Sequence, residues 1–166
     1  MLRETLVGCR VCVAKRRLTL DSPIEVIIKK KGTEVYSIAS DATIFEALTV
    51  MAEKRIGALV VMNGDVLEGI FSERDYARKV ILAGRSSREM KVHEIMVAEV
   101  TTVGPQSTVS ECMQHMTKRR CRHLPVVVEG KVVALVSVGD LVNWIISAQD
   151  HAIHDLEDYI SGEYPG

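Results

Sequence analysis

No stretch of this chain approaches the ~20 consecutive apolar residues that a membrane-spanning helix needs, so an integral membrane protein of that kind is not expected. A secretory signal is missing too, because Gly8 and Arg10 interrupt the only apolar stretch near the start. The same start holds Glu4 and few hydroxyl residues, which speaks against an organelle transit peptide. There is almost no excess charge: the net is −1, which removes any global pull toward nucleic acid or an acidic membrane. Cysteine is sparse, with four residues and no secretory context, so free thiols in a reducing, cytoplasmic setting are expected. Catalytic signatures are lacking as well. No Ser/His/Asp order emerges, and no set of metal ligands does. Cys9 and Cys12 form a Cys-x-x-Cys, but zinc wants four ligands and no second pair follows. A redox pair would need a strand-to-helix setting that the flanking residues do not supply. His151 and His154 lie three apart among acids, which reads as a solvated helix face before it reads as a metal pair. The expectation is a protein that is not an enzyme and requires no cofactor.

What is present is an internal repeat, the first thing to seek in any chain. Shifting the sequence by sixty-five residues lays Val35–Ile81 on Val100–Ile146 without a gap. Asp140 falls on Asp75, Ser137 on Ser72, Leu124 on Leu59, Met116 on Met51, Glu111 on Glu46 and Thr108 on Thr43. A chain of 166 residues can bury about 70% of its unfolded surface, so a real core is available. Its 47% hydrophobic and 26% charged residues are ordinary for a globular protein. Charge is unevenly spread: residues 1–31 carry eight Lys/Arg against three Asp/Glu, and residues 147–166 carry five acids and no Lys/Arg.

Taken in order, residues 1–21 show no period and read as a basic, disordered extension. Ser22-Pro23-Ile24-Glu25 has the form of a capping box with Pro at the first helical position, and Gly32 is a natural stop. Glu34–Ala39 reads as a strand. Thr43-Ile44-Phe45-Glu46 opens a helix to about Lys54, with Ile44, Ala47, Leu48 and Met51 on its buried face. Ala58–Met62 and Val66–Phe71 read as strands about the turn Asn63-Gly64-Asp65, and Ser72 opens a second helix to about Ala83. Residues 85–91 form a polar linker, and Val92–Met96 a turn of helix in the role of residues 23–31. The second copy, 92–150, repeats the order: strand Val100–Val103, helix from Thr108 to about Lys118, strands Leu124–Val128 and Val132–Val136, then a helix from Ser137. That last helix keeps an apolar stripe well past its counterpart, with 151–166 as its end and tail. The fold class expected is α+β, two β-α-β-β-α units, 22–84 and 92–150, packed as a pseudo-two-fold pair with a long C-terminal helix. One unit of about fifty residues cannot cover its own apolar sheet face.

Ser-x-x-Asp at a strand-to-helix junction carries two readings. As structure, Ser is the N-cap and Asp at the third helical position completes the box. As chemistry, the helix N-terminus offers free N–H groups and a positive dipole end to a phosphate, and the carboxylate can accept from the vicinal hydroxyls of a ribose. Arg119-Arg120-Cys121-Arg122-His123, just before a buried strand, is either a solvated basic loop or the anion-facing wall of such a site. The first copy has Lys54-Arg55-Ile56-Gly57 there and no counterparts of Arg122 and His123, so Arg74 is the available cation.

Arg122-His123-Leu124-Pro125-Val126-Val127, a turn, then Val136-Ser137-Val138-Gly139-Asp140-Leu141 resembles the second half of a tandem cystathionine-β-synthase (CBS) domain pair, or Bateman module. Gly57-Ala58-Leu59-Val60-Val61 with Gly69-Ile70-Phe71-Ser72-Glu73-Arg74-Asp75 resembles the first half. The resemblance spans residues 24–162 and looks like the stand-alone bacterial two-CBS signalling proteins, including the ending Tyr159-Ile160-Ser161-Gly162, with plant organellar CBS-pair proteins similar in the same region. It implies binding of adenosine-containing ligands (AMP, ADP, ATP, NAD or S-adenosylmethionine) between the repeats. By that resemblance Asp75 and Asp140 hold ribose; Ser72, Ser137, Arg122, His123 and Arg74 lie near phosphate; and Ile38, Ala58, Val103 and Pro125 contact adenine. It also implies a homodimer built through helices and a regulated protein on a separate chain. The rival expectation is a scaffolding homodimer whose pockets do not function.

Overall fold

The computed structural model describes residues 20–161, with side chains to residue 149. Cys9, Cys12 and most of the basic extension lie outside the described residues, as do the side chains of His151 and His154 and the Tyr-Ile-Ser-Gly ending. Chain order is α1 (Glu25–Lys31), β1 (Ser37–Ala39), α2 (Ile44–Lys54), β2 (Ala58–Asn63), β3 (Val66–Ser72), α3 (Glu73–Tyr76), α4 (Val109–Arg119), β4 (His123–Val128), β5 (Lys131–Ser137) and α5 (Val138–Ser161). A π-helical turn, Ala77–Ile81, continues α3, and a 3-10 turn, Val92–Glu94, precedes the second copy.

Local sequence explains the regular parts. Thr43 and Thr108 each accept from the N–H three residues on, and Glu46 and Glu111 reach back to the cap N–H at 2.7 and 2.8 Å. Both helices end on an arginine in the left-handed region, Arg55 (φ 55) and Arg120 (φ 53). β2 and β3 form an antiparallel hairpin from Ala58↔Ser72 to Asn63↔Val66, with a bulge between Val61 and Met62. β4 and β5 copy it from His123↔Ser137 to Val128↔Lys131, with the bulge between Val126 and Val127. The irregularity sits at the same place in both copies, so it belongs to the repeat unit. β1 lies parallel to β2 in the register Ser37↔Val60. The two units form a mixed α+β pair, and β3 and β5 meet between them.

Four local expectations are corrected. Ser22 is not the N-cap of α1; Ile24 takes that place without a side-chain cap. Residues 22–25 are held by the second copy instead: Ile24 N–H donates to Ser107 O at 2.9 Å and Val109 N–H to Ser22 O at 3.0 Å. The strand expected over 34–39 is regular only at Ser37–Ala39. Val100–Val103 narrows to one parallel bridge, Val103↔Val126, because the chain turns away at Gly104-Pro105. The helix expected from Ser72 to about Ala83 is α-helical only to Tyr76 before it widens into the π turn.

The core has two parts, and the segments before the repeats cross between them. Ile24, Ile27 and Ile28 pack with Val109, Cys112, Met116, Leu124, Val136 and Leu141, all in the second copy. Val92 and Ile95 pack with Ile44, Met51, Leu59, Phe71 and Val80 in the first. Leu20 is half-buried against the second cluster, so packing begins before Ser22. Each unit is therefore completed by chain that precedes the other, and burial of ~1.5–3 kcal/mol per large apolar side chain ties the two together.

Candidate functional site

At the β5–α5 junction, Asp140 Oδ2 accepts from Ser137 N–H and Ser137 Oγ, both at 2.7 Å. The Asp140 N–H donates back to Ser137 Oγ at 3.2 Å. The same Oδ2 takes a third donor from far away in sequence: the ammonium of Lys31, at 2.7 Å. Lys31 Nζ also donates to Leu135 O at 3.0 Å. Burial pushes the Asp140 carboxyl up; the Lys31 and Ser137 hydrogen bonds, with the Lys31 charge, outweigh it and hold the group below its ordinary value. It is a carboxylate at neutral pH, at the N-terminus of a 24-residue helix.

Beside this junction lies a cleft of about 390 Å³ walled by both copies. The first copy contributes Tyr36, Arg55 and Ala58, with Lys31 from α1; the second contributes His123, Leu135 and Ser137. His123 is held below its usual range, first by burial and then by the Lys31 and Arg122 charges, against the opposing pull of Asp140. It is neutral at pH 7, and whichever ring nitrogen bears hydrogen can donate. A second hollow of about 260 Å³ also touches Lys31, against Lys30, Asp140, Asn143 and Trp144.

The first copy repeats the Ser–Asp pair. Ser72 Oγ donates to Asp75 Oδ2, and Asp75 N–H donates to Ser72 Oγ at 3.3 Å. Its cation is local, Lys79, 3.6 Å from Asp75 Oδ1. The flank of this site is closed. Ile70 N–H donates to Val97 O at 3.0 Å and Val97 N–H to Ile70 O at 2.9 Å, so the interdomain chain is zipped onto the outer edge of β3. A Cβ on Gly69 would stand 2.8 Å from Met96 Sδ and 2.9 Å from Val97 O. Sixty-five residues separate Ile70 from Leu135 and Val97 from Gly32. In the second copy the same carbonyl, Leu135 O, is met by the Lys31 ammonium. Gly32, at φ 98, turns the chain away there and the cleft stays open.

The structure therefore separates the expected site residues. Ser137, His123 and Ala58 line the open cleft, and Asp140 stands behind Lys31. Ser72, Asp75 and Arg74 belong to the closed flank, where Arg74 Nη1 donates to Arg120 O at 3.3 Å across the two copies. Arg122 is exposed, and its carbonyl caps the Val138 N–H at 2.9 Å. Ile38, Val103 and Pro125 do not line the open cleft: Ile38 packs against the first core, Val103 is buried in the second, and Pro125 O accepts from Val103 N–H at 3.0 Å. Lys31 and Tyr36 are not among the expected site residues, while Arg55, at the place of the second copy's basic wall, lines the cleft. Lys31 closes a helix whose last turn is Lys29-Lys30-Lys31, a pattern that reads as cations complementing a helix C-terminus.

The family model of the CBS domain matches twice, over residues 25–81 and 92–147. A mitochondrial CBS domain-containing protein of Arabidopsis thaliana, CBSX3, is 37% identical over 150 residues, covering 85% of this chain and 73% of that one. The solved structure of a protein with CBS domains from Burkholderia ambifaria MC40-6 is 45% identical at a TM-score of 0.73, covering 76% of this chain and 95% of its own. The CBS domain pair of protein MJ0100, solved with 5′-methylthioadenosine and S-adenosyl-L-methionine, shares the fold at a TM-score of 0.66 and 22% identity, covering 74% of this chain and 98% of its own.

Proposed function

The chain belongs to the CBS-domain family, and we propose that this CBS pair is a sensor that takes an adenosine-containing ligand in the cleft beside β5 and passes its occupancy to a separate protein. The observation that carries the reading is Asp140. A carboxylate locked by Ser137 at a helix N-terminus, next to a cleft walled by both repeats, suits vicinal ribose hydroxyls with a phosphate beside them. The adenosine derivatives named for the MJ0100 pair support the class of ligand through a shared fold alone. The Asp75 side is the weaker candidate, because Val97 seals its flank. On this reading Ser137 and His123 attend the phosphate and Ala58 the base. The role is regulatory and non-catalytic: a ligand shifts the pair only by its difference in affinity for two shapes.

A second reading rests on Val138, Val142 and Ile146, 39%, 40% and 50% exposed and one turn apart along α5. This stripe favours self-association through helices, and a homodimer with idle clefts needs no ligand at all. Thermal unfolding separates the two. AMP, ATP, NAD and S-adenosylmethionine are compared with GTP on the wild-type chain and on Asp140→Ala. A ligand at about one hundred times its Kd adds roughly 2.7 kcal/mol of stability. A shift with an adenylate that Asp140→Ala abolishes supports the sensor. No shift with any of them leaves the dimeric scaffold.

A further inference from the structure

Lys31 is shared by the two hollows beside Asp140. It lines both hollows, whereas Asp140 lines the smaller one and its hydrogen-bond partner Ser137 the larger. Its ammonium takes up Asp140 Oδ2 at 2.7 Å and Leu135 O at 3.0 Å, two acceptors that a ligand would need or displace. In the first copy the carbonyl equivalent to Leu135 O is held by a main-chain bridge from Val97. Main chain zipped on both sides is a fixed closure. A lysine side chain that is 43% exposed is a movable one, since partly exposed ion pairs hold weakly and the stem has several rotatable bonds.

We propose that Lys31 is the gate and the charge filter of this cleft, so that it admits adenosine bearing phosphate and disfavours adenosine bearing a cationic sulfonium. The inference rests on the adenylate reading above. A ribose reaching Asp140 from the cleft displaces the ammonium. The ammonium remains tethered beside the ligand at the C-terminus of α1, in a cleft that Arg55 and His123 also line. A phosphate offers it a new partner and a charge-assisted hydrogen bond in place of the one it lost. Unphosphorylated adenosine leaves it without one, and S-adenosylmethionine adds a like charge. Asp140 is thus neutralised by Lys31 when the cleft is empty, and Lys31 by the ligand when it is full.

The test is isothermal titration of AMP, adenosine and S-adenosylmethionine into the full chain, as wild type, Lys31→Ala and Lys31→Arg. Wild type should bind AMP at least roughly tenfold more tightly than adenosine. Lys31→Ala should weaken AMP by a similar factor while adenosine holds or gains, because its competitor for Asp140 is gone. Lys31→Arg should restore the preference. A Lys31→Ala protein that keeps the wild-type ratio of AMP to adenosine overturns the proposal, even if its melting temperature falls, since Lys31 is then only a clasp between the copies. A wild-type preference for S-adenosylmethionine overturns it as well. Wild type that binds none of the three, nor ATP or NAD, refutes the adenylate reading itself, a result distinct from an unchanged ratio.

Discussion

Gly69→Ala probes the asymmetry between the copies with one methyl group. Gly69 is buried in β3, and the position sixty-five residues on is Ala134, 3% exposed, in β5. One repeat unit thus carries alanine where the other carries glycine. The added Cβ at 69 meets Met96 Sδ at 2.8 Å and Val97 O at 2.9 Å. Met96 can swing away, being the end of a flexible side chain. Val97 O cannot move without lengthening its bond from Ile70 N–H, now 3.0 Å, and the return bond from Val97 N–H, now 2.9 Å. Two backbone hydrogen bonds are worth about 1 kcal/mol each, and overpacking costs about 1–3 kcal/mol where the structure resists. Against this, alanine in a strand gains about 0.5–1 kcal/mol over glycine. The net expectation is a loss of about 1–3 kcal/mol, or roughly 2–4 °C of melting temperature per kcal/mol at this size. Urea and thermal unfolding followed by circular dichroism measure it. Hydrogen exchange at the Ile70 and Val97 amides locates it, because both should lose protection together. A Gly69→Ala protein as stable as wild type, with both amides still protected, refutes the fixed closure of the first copy.

Three further outcomes are expected. His123 should titrate below the usual histidine range by NMR, because burial, Lys31 and Arg122 disfavour its charged form. The unfolded state then binds the proton first, so stability should fall as pH drops below about 6.5 and level off once pH has passed the depressed folded value; a His123→Gln chain should lose that slope. Cys112 is fully buried and its thiol is pushed up to about 11 by burial and then by Glu111. Alkylation mapped by mass should therefore spare Cys112 in native protein at pH 8 and modify it in urea, and rapid native labelling would contradict its placement in the second core. Thr43→Ala and Thr108→Ala should each cost about 1 kcal/mol in urea unfolding, since each removes the same cap from the same helix of the repeat.

How much of this was legible in the sequence depends on the range of the interaction. The capping boxes at Thr43 and Thr108, the buried faces of α2 and α4, and the two hairpins follow from spacings of two to four residues, and the repeat doubled each signal. The Ser–Asp pairs are equally local, and the structure forms both. What the repeat concealed is how each copy is closed. The missing counterparts of Arg122 and His123 already mark the two clefts as unlike, yet the way each is closed lies in segments outside the ungapped alignment: Lys31-Gly32 on one side and Met96-Val97 on the other. No spacing in the sequence joins Lys31 to Asp140, which are 109 residues apart. The nearest local clue was Gly69 opposite Ala134, a difference of one methyl at a position buried in both copies. The apparent capping box at Ser22 misleads for the same reason, since residues 22–25 hydrogen-bond to the second copy before they serve their own helix. Tandem duplication gives two half-sites with the same Ser–Asp pair, and the linkers, under no such symmetry, close one by main chain and meet the other with the Lys31 side chain.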